Sequence, residues 1–501
     1  MTKRLLLTVF ATAAASLFAE VEVSFRKPTV NPPPNEMTYE ETTIVRLPGA
    51  KVVVRCPEPG AAAWAEAKLR AALSQKIVVE ADLSPVETAD EGYEIDAKPE
   101  RIVLSAKTLK GVRYAVYTLR QAAERESVGA ETQGFWLPAL SIKDAPWLNF
   151  RGIHLCWFPE CTTTLIEHQI RLAAYYKYNY VVLESWGTFR SERHPYLAHK
   201  NAPLTVAEAR RLTALAKDLG VTLIPQVNIY GHATGSRCMG GKHATLDLHP
   251  NRQPIFEPSA GWNWCLSNPD AKRVCRELVA EMHEAFGNPP YFHIGCDEAD
   301  EPTCARCRTA KPYSKLVEKH ISEVAGMLRE RGARAMMWHD MFLDKNDLSW
   351  RPFYAHGSPS TTNLVNTLPK DIIVCDWYYG GNYKRETYPK DYKTFRYFKG
   401  KGFDVITCPW DDTKAITPQV KAAHDQNLMG ALQTIWHHFR GQQFQWMMAL
   451  GACASWNGSR NTVNYQDLAT FWRQMGWDMG IDDYEETGYY TEQVTREVLD
   501  R

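Results

Sequence analysis

The sequence predicts an α/β protein, a (β/α)8 TIM barrel preceded by a small α/β domain. The first observation is that eight short β-rich runs alternate with helical segments from Phe150 onward, over roughly 300 residues. The second is that no G-x-G-x-x-G motif follows the first of these runs, which argues against the rival doubly wound open sheet. The third is that a shorter stretch of strand and helix patterns precedes this region.

The patterns before the barrel predict the small α/β domain over residues 39–143. Ala61–Ser74 is rich in alanine and has helical periodicity. Gly111–Ala123 is predicted as an amphipathic helix because its apolar residues recur on one face. Strands are predicted at Lys51–Arg55, Gly92–Ile95 and Arg101–Ser105.

The barrel is predicted over residues 144–461, with a C-terminal extension at 462–501. Its helices carry clear boundary signals, since Thr205 and Glu208 form a capping box and Gly220 ends the same helix. The eight strands are predicted at residues 152–156, 180–184, 221–227, 291–296, 334–338, 371–376, 403–408 and 428–436.

The N-terminus has the pattern of a signal peptide at residues 1–19. Lys3 and Arg4 precede an apolar run from Leu5 to Phe18, which is too short for a comfortable membrane span. A proline-rich stretch at 20–38 indicates a linker. We therefore expect an exported protein, periplasmic or extracellular, with no membrane span in its mature form.

The charge balance argues against a nucleic-acid partner. Lys+Arg and Asp+Glu both number 58, so the formal net charge of the 501 residues is zero. The aromatic content is high, with 16 Trp and 23 Tyr. Composition alone favours core packing for these residues, and stacking on the apolar faces of sugar rings is the alternative.

Most of the twelve cysteines lie alone in apolar, strand-like runs, where cysteine usually behaves as a small core residue. Cys304 and Cys307 differ because they form a C-x-x-C motif. In an exported protein this motif favours a disulfide or free thiols over a metal site. The less favoured alternative is a zinc site, which would need a further ligand such as Cys296 or His293.

Two adjacent carboxylates, Asp297 and Glu298, follow the predicted fourth strand of the barrel. Reactive groups of (β/α)8 barrels lie at the C-terminal ends of the strands. Two neighbouring acids oppose each other's ionisation, so one of them tends to keep its proton near neutral pH, as glycoside cleavage requires of its acid. The alternative is a solvated Asp-Glu cap on the next helix, and the pair alone does not decide between the two.

The order and spacing of several motifs resemble glycoside hydrolase family 20, the β-N-acetylhexosaminidases. The strongest is His293-Ile-Gly-Cys-Asp-Glu298, which is similar to the family's His-x-Gly-x-Asp-Glu signature. The resemblance covers nearly all of the mature chain and identifies the small domain as non-catalytic. Other similar segments are Gly92–Ile95, Arg101–Ala106, Gly111–Gln121, Leu137–Pro146, Phe150–Gly152, Lys177–Asn179, Ile224–Pro225 and Gly231–His232.

The resemblance implies exo-acting hydrolysis of terminal β-linked GlcNAc or GalNAc from a glycan or glycoconjugate, without a cofactor. The 2-acetamido oxygen of the substrate attacks the anomeric carbon, so no carboxylate nucleophile is needed and the anomeric configuration is retained. Glu298 then corresponds to the general acid/base. Asp297 corresponds to the residue that orients the acetamide N–H and stabilises the positive charge of the oxazolinium ring.

Three further positions carry over from the family with roles around the sugar. Arg151 matches an arginine that hydrogen-bonds sugar hydroxyls, for which a guanidinium fork is suited. The alternative for Arg151 is an ion pair beneath the barrel. Glu184 corresponds to an acidic residue that supports His232 near the catalytic pair.

Aromatic residues at the predicted strand ends are further candidates. Trp338, Trp377 and Trp436 correspond to tryptophans that line the family's acetamide pocket, although core packing is an alternative for each. The remaining candidates follow strands six and seven, a region in which the family often has a Tyr that contacts the acetamide oxygen. They are Tyr379, Trp410 and Asp411.

The chain departs from the family pattern at two strand ends. Strand three has Gln226 and Asn228 where many members have carboxylates. His438 stands where many members have a glutamate that holds the O4 and O6 hydroxyls of the sugar. The identity of the terminal sugar therefore stays open, while the Asp-Glu pair is kept.

Two other hypotheses remain beside the active hexosaminidase. One is a catalytically silent sugar-binding protein on the same scaffold. The other is a different barrel glycosidase. Retention of Asp297, Glu298 and Arg151 favours the enzyme.

Overall fold

A computed structural model describes ten segments of the chain. The predicted signal peptide at 1–19 and the predicted C-terminal extension at 462–501 lie outside them. The described residues are 27–47, 51–73, 77–128, 131–159, 161–234, 249–258, 261–310, 312–379, 392–436 and 441–459.

A mixed sheet with two helices forms the small domain. Its strands are β1 (Glu36–Arg46), β2 (Lys51–Arg55), β3 (Val79–Asp82), β4 (Tyr93–Lys98), β5 (Arg101–Ser105), β6 (Glu124–Val128) and β7 (Glu131–Asp144); its helices are α1 (Ala61–Leu73) and α2 (Leu109–Ala122). The strands pair in the order β1-β7-β4-β5-β2-β3, with β6 added to β7. β2 is parallel to β3 and β5, and the other pairs are antiparallel.

Eight parallel strands close into a barrel, which confirms the predicted fold class. They are β8 (Phe150–Trp157), β9 (Tyr180–Ser185), β10 (Thr222–Gln226), β11 (Tyr291–His293), β12 (Arg334–Trp338), β13 (Ile373–Trp377), β14 (Asp404–Cys408) and β15 (Gly430–Thr434). The last strand pairs with the first, from Gly430 opposite Phe150 to Thr434 opposite His154. All C-terminal strand ends therefore meet at one mouth.

Helices follow the barrel strands and begin where the sequence signals place them. Thr205 caps its helix by accepting a hydrogen bond from the Glu208 N–H, and Gly220 ends the helix in the left-handed conformation. No helix of the described segments is long and apolar enough to cross a membrane. The helices are α3 (Thr163–Tyr175), α4 (Val206–Leu219), α5 (Pro269–Ala285), α6 (Ala305–Thr309), α7 (Tyr313–Glu330), α8 (Leu364–Thr367), α9 (Lys393–Gly400), α10 (Ile416–Asp425) and α11 (Gly441–Asn457).

Apolar side chains fill the barrel interior below its mouth. At the N-terminal end, Phe150 stacks on Tyr180 with 4.3 Å between ring centroids, and Tyr291 meets both rings edge-on. A fully buried aliphatic layer lies above these rings. It consists of Val182, Ile224, Met336, Ile373, Ile406 and Leu432. The barrel is therefore a packed core with a closed floor.

The fourth barrel strand is shorter than predicted. The sequence pattern predicts 291–296, whereas β11 ends at His293. Gly295 and Cys296 have positive φ angles of 65° and 72°, so the backbone leaves the extended conformation there. Cys296 is not a glycine, so its left-handed backbone is costly, and such strain is typical of functional sites. The chain turns at this point just before the two carboxylates.

A buried polar network joins the small domain to the barrel. Lys177 lies 3.2 Å from Asp144, and its ammonium also donates to the hydroxyl of Tyr93. The indole N–H of Trp456 donates to the other oxygen of Asp144 at 2.9 Å. Because every polar group here is partnered and buried, the network fixes the small domain against the base of the barrel.

The described part of the proline-rich segment is packed rather than free. Asn31 is buried, and its backbone N–H donates to Gln121 of α2 at 2.7 Å. Its side-chain oxygen accepts a hydrogen bond from Cys453 of α11 at 2.8 Å. The predicted linker at 20–38 is thus, in its second half, a segment wedged between the small domain and the last barrel helix.

Candidate active site

Asp297 and Glu298 lie at the barrel mouth, just beyond β11. The Asp297 residue is 5% exposed, whereas the Glu298 side chain is 43% exposed. Glu298 also has a positive φ, 47°. Gly231 packs so closely on the backbone of Asp297 that a Cβ at this position would collide with its carbonyl oxygen. The loop after β10 therefore holds one carboxylate inside and leaves the other accessible.

Asn228 holds the buried carboxylate. Its amide N–H donates to Asp297 Oδ1 at 2.6 Å, and its amide oxygen accepts the backbone N–H of Cys296. Gly295 leaves the space that the Asn228 side chain occupies. A hydrogen bond donated to a carboxylate favours the ionised form. The amide at 228 is therefore complementary to a charged Asp297.

His232 lies between the two acids and thus near the catalytic pair, as predicted from the sequence, whereas its support by Glu184 stays a prediction. Its Nε2 is 3.4 Å from both Asp297 Oδ2 and Glu298 Oε2. Its ring packs on Trp262 at 4.2 Å between centroids. The hydrogen bond from His232 lowers the pKa of Glu298 below its ordinary value, and it outweighs burial and the charge of Asp297, which both raise that pKa.

The contact with His232 adds a factor to a simple expectation from the sequence. Two adjacent carboxylates alone predict that one of them keeps its proton near neutral pH. In this arrangement His232 favours the charged form of Glu298 instead.

Asp340 and His356 also act on Glu298, and the sequence analysis missed both. Asp340 is fully buried, and its Oδ2 accepts the backbone N–H of Glu298 at 2.9 Å and faces His356 Nδ1 at 3.1 Å. Burial lowers the pKa of His356, but Asp340 and the charges of Glu298 and Asp297 raise it more. The signal available in the sequence was the polar His339-Asp340 pair directly after β12.

The predicted aromatic residues form a continuous wall beside the carboxylates. Trp338 and Trp436 lie 5.4 Å apart, and the indole N–H of Trp436 donates to the hydroxyl of Tyr379 at 2.5 Å. Tyr379 stacks on Trp377 at 4.8 Å and meets Trp410 edge-on at 5.0 Å. The structure therefore brings all five together at one side of the mouth.

Two other candidates are placed differently. Asp411 lies three residues beyond β14 and is partly exposed. His438 lies outside the described residues, so its proposed contact with the sugar stays a prediction. Tyr354, which the sequence analysis missed, packs on Trp377 at 4.8 Å and extends the wall.

Glu184 is fully buried at the end of β9 and belongs to a polar cluster inside the barrel mouth. The indole N–H of Trp186 donates to its Oε2 at 2.9 Å, and the amide of Gln226 donates to its Oε1. His154 Nε2 lies 3.2 Å from Oε2. The two amides that depart from the family pattern, Gln226 and Asn228, thus each donate to a buried carboxylate.

Arg151 lies at the wrong end of the barrel for the predicted role in binding sugar. It is the second residue of β8, so its side chain lies at the base, opposite the mouth. Its guanidinium lies 2.6 Å from Glu91 of the small domain and donates to the hydroxyl of Tyr114 at 2.9 Å. The alternative interpretation, an ion pair beneath the barrel, describes this geometry.

Replacing Arg151 by Met is expected to destabilise the fold without changing sugar recognition. The substitution leaves Glu91 with only the exposed Lys110 at 3.6 Å, and breaking a buried pair costs up to about 3–5 kcal/mol. We expect a lower unfolding midpoint in urea, measured by far-UV circular dichroism. A matched control is Arg113→Met, a partly buried arginine of α2 that donates to the carbonyl of Lys217 at 3.3 Å, which should have a smaller effect. An unchanged midpoint together with a raised KM would instead restore the sugar-binding role.

Two groups of the described side chains have the composition of a metal site, and one of them is His154, Cys156 and Glu184 inside the barrel mouth. Glu257, Cys265, Cys304 and Cys307 place four ligand atoms within 4.8 Å of one another, and we name this group the Cys3Glu cluster. Cys296, the further zinc ligand suggested by the sequence, lies elsewhere, and its thiol faces the carbonyl of Ile294. No disulfide joins Cys304 and Cys307 in this structure.

Two family models match the chain. The model of the catalytic domain of glycosyl hydrolase family 20 matches residues 174–448, and the model of domain 2 of that family matches residues 27–145. Together they span both the small domain and most of the barrel.

Curated relatives are distant and longer. The chain is 23% identical over 322 residues to the Beta-hexosaminidase of Porphyromonas gingivalis, covering 55% of this chain and 40% of that protein. It is 24% identical over 317 residues to the Beta-N-acetylhexosaminidase of Cellulomonas fimi, covering 59% and 57%. The match thus spans about half the length of these relatives.

Solved structures share the fold. An exo β-N-acetylglucosaminidase of Vibrio harveyi superposes with a TM-score of 0.64 at 15% identity, covering 95% of this chain and 81% of that one. The β-N-acetylhexosaminidase of Bacteroides fragilis gives 0.64 at 18% identity, covering 92% and 96%. At these identities the likeness concerns the architecture of the two domains.

Proposed function

The chain belongs to glycosyl hydrolase family 20, and from this premise we propose that it is a β-N-acetylhexosaminidase that removes terminal β-linked N-acetylhexosamine from glycans. The observation that carries the proposal is the pairing of a buried Asp297 with an accessible Glu298 around His232. This pair faces a mouth lined by aromatic side chains. The chemistry of these groups supports a substrate-assisted reaction.

The first step needs an acid and a partner for the acetamide. The acetamide oxygen of the substrate attacks the anomeric carbon, the glycosidic bond breaks, and Glu298 gives its proton to the leaving oxygen. Asp297 accepts the acetamide N–H and faces the positive charge that develops on the oxazolinium ring. The hydrogen bond from Asn228 favours the ionised Asp297 that this role requires.

The second step restores the proton of Glu298. Glu298, now a carboxylate, takes a proton from a water that attacks the anomeric carbon and opens the oxazolinium ring. Two displacements at the same carbon give retention of configuration. The contact with His232 supports this half of the reaction, because it favours the carboxylate form of Glu298.

Exo action is part of the proposal because of the family resemblance, and the arrangement of the barrel mouth is compatible with it. The aliphatic layer beneath the aromatic wall is fully buried, so a sugar that enters the mouth meets a floor. Trp436 is partly exposed and offers an indole face that can stack on the sugar, while the buried Trp338 and Trp377 exclude water around the acetamide methyl. A terminal sugar fits this arrangement better than the middle of a glycan chain.

The test is turnover by the purified protein of aryl N-acetyl-β-glucosaminide and N-acetyl-β-galactosaminide. Hydrolysis of either supports the class, and the ratio of the two rates reports the preference at O4 that His438 leaves open. A thiazoline analogue of the oxazolinium should inhibit, because such ligands bind where charge develops. Turnover that resists the thiazoline would indicate a two-carboxylate glycosidase. Tight binding of sugar without turnover would indicate a silent binder.

Replacing His232 by Phe is expected to move the basic limb of the pH profile of kcat/KM upward. A general acid must carry its proton, so activity falls as pH rises through the pKa of Glu298. The substitution removes the interaction that lowers this pKa and leaves burial and the charge of Asp297, which raise it. Phe keeps the packing on Trp262. A basic limb that stays in place or moves to lower pH would contradict the assignment.

A further inference from the structure

The Cys3Glu cluster joins two loops that are distant in sequence. Glu257 and Cys265 lie between β10 and α5, whereas Cys304 and Cys307 lie after the catalytic pair, at the start of α6. The sulfur of Cys265 is 3.7 Å from the sulfurs of both Cys304 and Cys307. A disulfide requires about 2.05 Å, so the sulfurs are close but not bonded.

These separations match a tetrahedral metal. Two thiolates, each about 2.3 Å from a tetrahedral zinc ion, lie about 3.8 Å from each other. Cys304 and Cys307 also have the C-x-x-C spacing common among zinc ligands. Three sulfurs around one point leave a fourth position, and the Glu257 carboxylate reaches it within the same 4.8 Å limit.

Glu257 supplies an independent observation. The residue is 3% exposed. Its Oε2 accepts the backbone N–H groups of Thr303 at 2.9 Å and Cys304 at 2.7 Å. Its Oε1 is buried and receives no hydrogen bond from a nitrogen or hydroxyl donor of the described residues. The Cys307 thiol is hydrogen-bonded to this carboxylate, but a thiol is a weak donor, and a cation beside the three sulfurs would satisfy the buried oxygen better.

The surroundings are also suited to bound thiolates. The backbone N–H of Cys307 donates to the sulfur of Cys304 at 3.3 Å. The guanidinium of Arg306 lies 3.9 Å from the sulfur of Cys265 and offsets part of the negative charge of the four ligands. Such partners orient metal ligands and tune their charge. Cys304 is partly exposed, which leaves a path for the ion from solvent.

We infer that the Cys3Glu cluster binds one zinc ion, which fastens together the two loops that carry the active site. Between Glu257 and Cys265, the indole N–H of Trp262 donates to the carbonyl of Glu298 at 2.8 Å. Asn263 and Asp300 exchange two hydrogen bonds, of 2.6 and 3.1 Å. The ion has a structural role, because all four positions are taken by protein ligands.

The test is the metal content of the full chain, purified from cells grown with zinc and measured by inductively coupled plasma mass spectrometry. We expect about one zinc ion per chain. Cobalt(II) added to the metal-free protein should give the absorption of sulfur-to-cobalt charge transfer in a tetrahedral site. Both measurements need no turnover, so their outcome is independent of the proposed hydrolase activity.

Single cysteine substitutions test whether the zinc ion binds at the Cys3Glu cluster. Cys265→Ala and Cys307→Ala should each lose the bound zinc, whereas Cys275→Ala, which removes a buried thiol of α5 outside the cluster, should keep it. Should the cluster variants fail to fold, the zinc content of the unmodified chain still decides. The proposal is overturned by a purified chain that neither contains nor takes up stoichiometric zinc, or by peptide mapping that finds a disulfide among the three cysteines.

Discussion

Glu298→Gln is expected to lower kcat/KM on a natural glycan by about 10²–10⁴-fold, the usual contribution of a positioned general acid/base. Glutamine keeps the shape of the side chain but has no acidic proton to deliver to the leaving oxygen. The loss should be smaller on an aryl glycoside, whose leaving group departs without protonation. With the aryl glycoside, the rate of the Glu298→Gln variant is then limited by the second step, in which water must be activated to open the oxazolinium ring. Added azide needs no general base and should restore part of the turnover.

A carboxylate three residues downstream offers the matched control. Glu301 is exposed, and its Oε2 accepts a hydrogen bond from Ser360 Oγ at 2.8 Å, away from the two acids. Glu301→Gln makes the same chemical change and should keep wild-type kinetics on both substrates. The measurement is kcat and KM for an aryl glycoside and a chitooligosaccharide. An equal loss on both substrates in Glu298→Gln would falsify the general-acid role.

The sequence was most informative where geometry follows from topology. Parallel strands of a closed barrel must all end at one mouth, so residues after different strands, such as Trp338, Trp377 and Trp436, could be placed together before any coordinates. The same rule correctly placed Asp297 and Glu298 at the barrel mouth. The rule could not predict which part of the pocket each side chain faces. It also could not predict the turn at Gly295, which ends β11 early.

For Arg151, its position within the strand predicts the location of the side chain better than the family resemblance does. The motif that starts the first barrel strand identified the strand correctly. The position of Arg151 within that strand decides which end of the barrel it occupies, and it is the second residue. The partner that explains it, Glu91, lies 60 residues earlier in the small domain, and nothing local in the sequence indicates that pairing.

The sequence indicated only two of the four residues of the Cys3Glu cluster. Cys304 and Cys307 form a local motif, but Cys265 belongs to another loop, and Cys296 was the nearer candidate in sequence. Cys296 turns away because its backbone follows the left-handed turn beneath the catalytic pair. Long-range contacts between loops depend on how helices and strands between them pack, so the third cysteine could be assigned only from the fold.

Asn228→Asp is expected to lower kcat by about 10²–10³-fold, comparable to the removal of a donor that stabilises developing charge. The new carboxylate would face Asp297 at the position of a 2.6 Å hydrogen bond. Two carboxylates so close cannot both ionise, so one proton is shared between them and the pKa of the pair rises. Asp297 then no longer offers a full negative charge to the oxazolinium ring.

The departure of this chain from the family at position 228 therefore carries a specific consequence. A carboxylate is tolerable there only if a cation compensates its charge, because the backbone N–H of Cys296 that already donates to this side chain is a single neutral donor. Gln226→Glu is the matched comparison, because it makes the same change beside Glu184 instead of Asp297. If the rate loss follows the charge on Asp297, Asn228→Asp should lower kcat for aryl glycosides more than Gln226→Glu, at equal unfolding midpoints. Equal kcat in the wild type and Asn228→Asp would mean that Asp297 does not act through its negative charge.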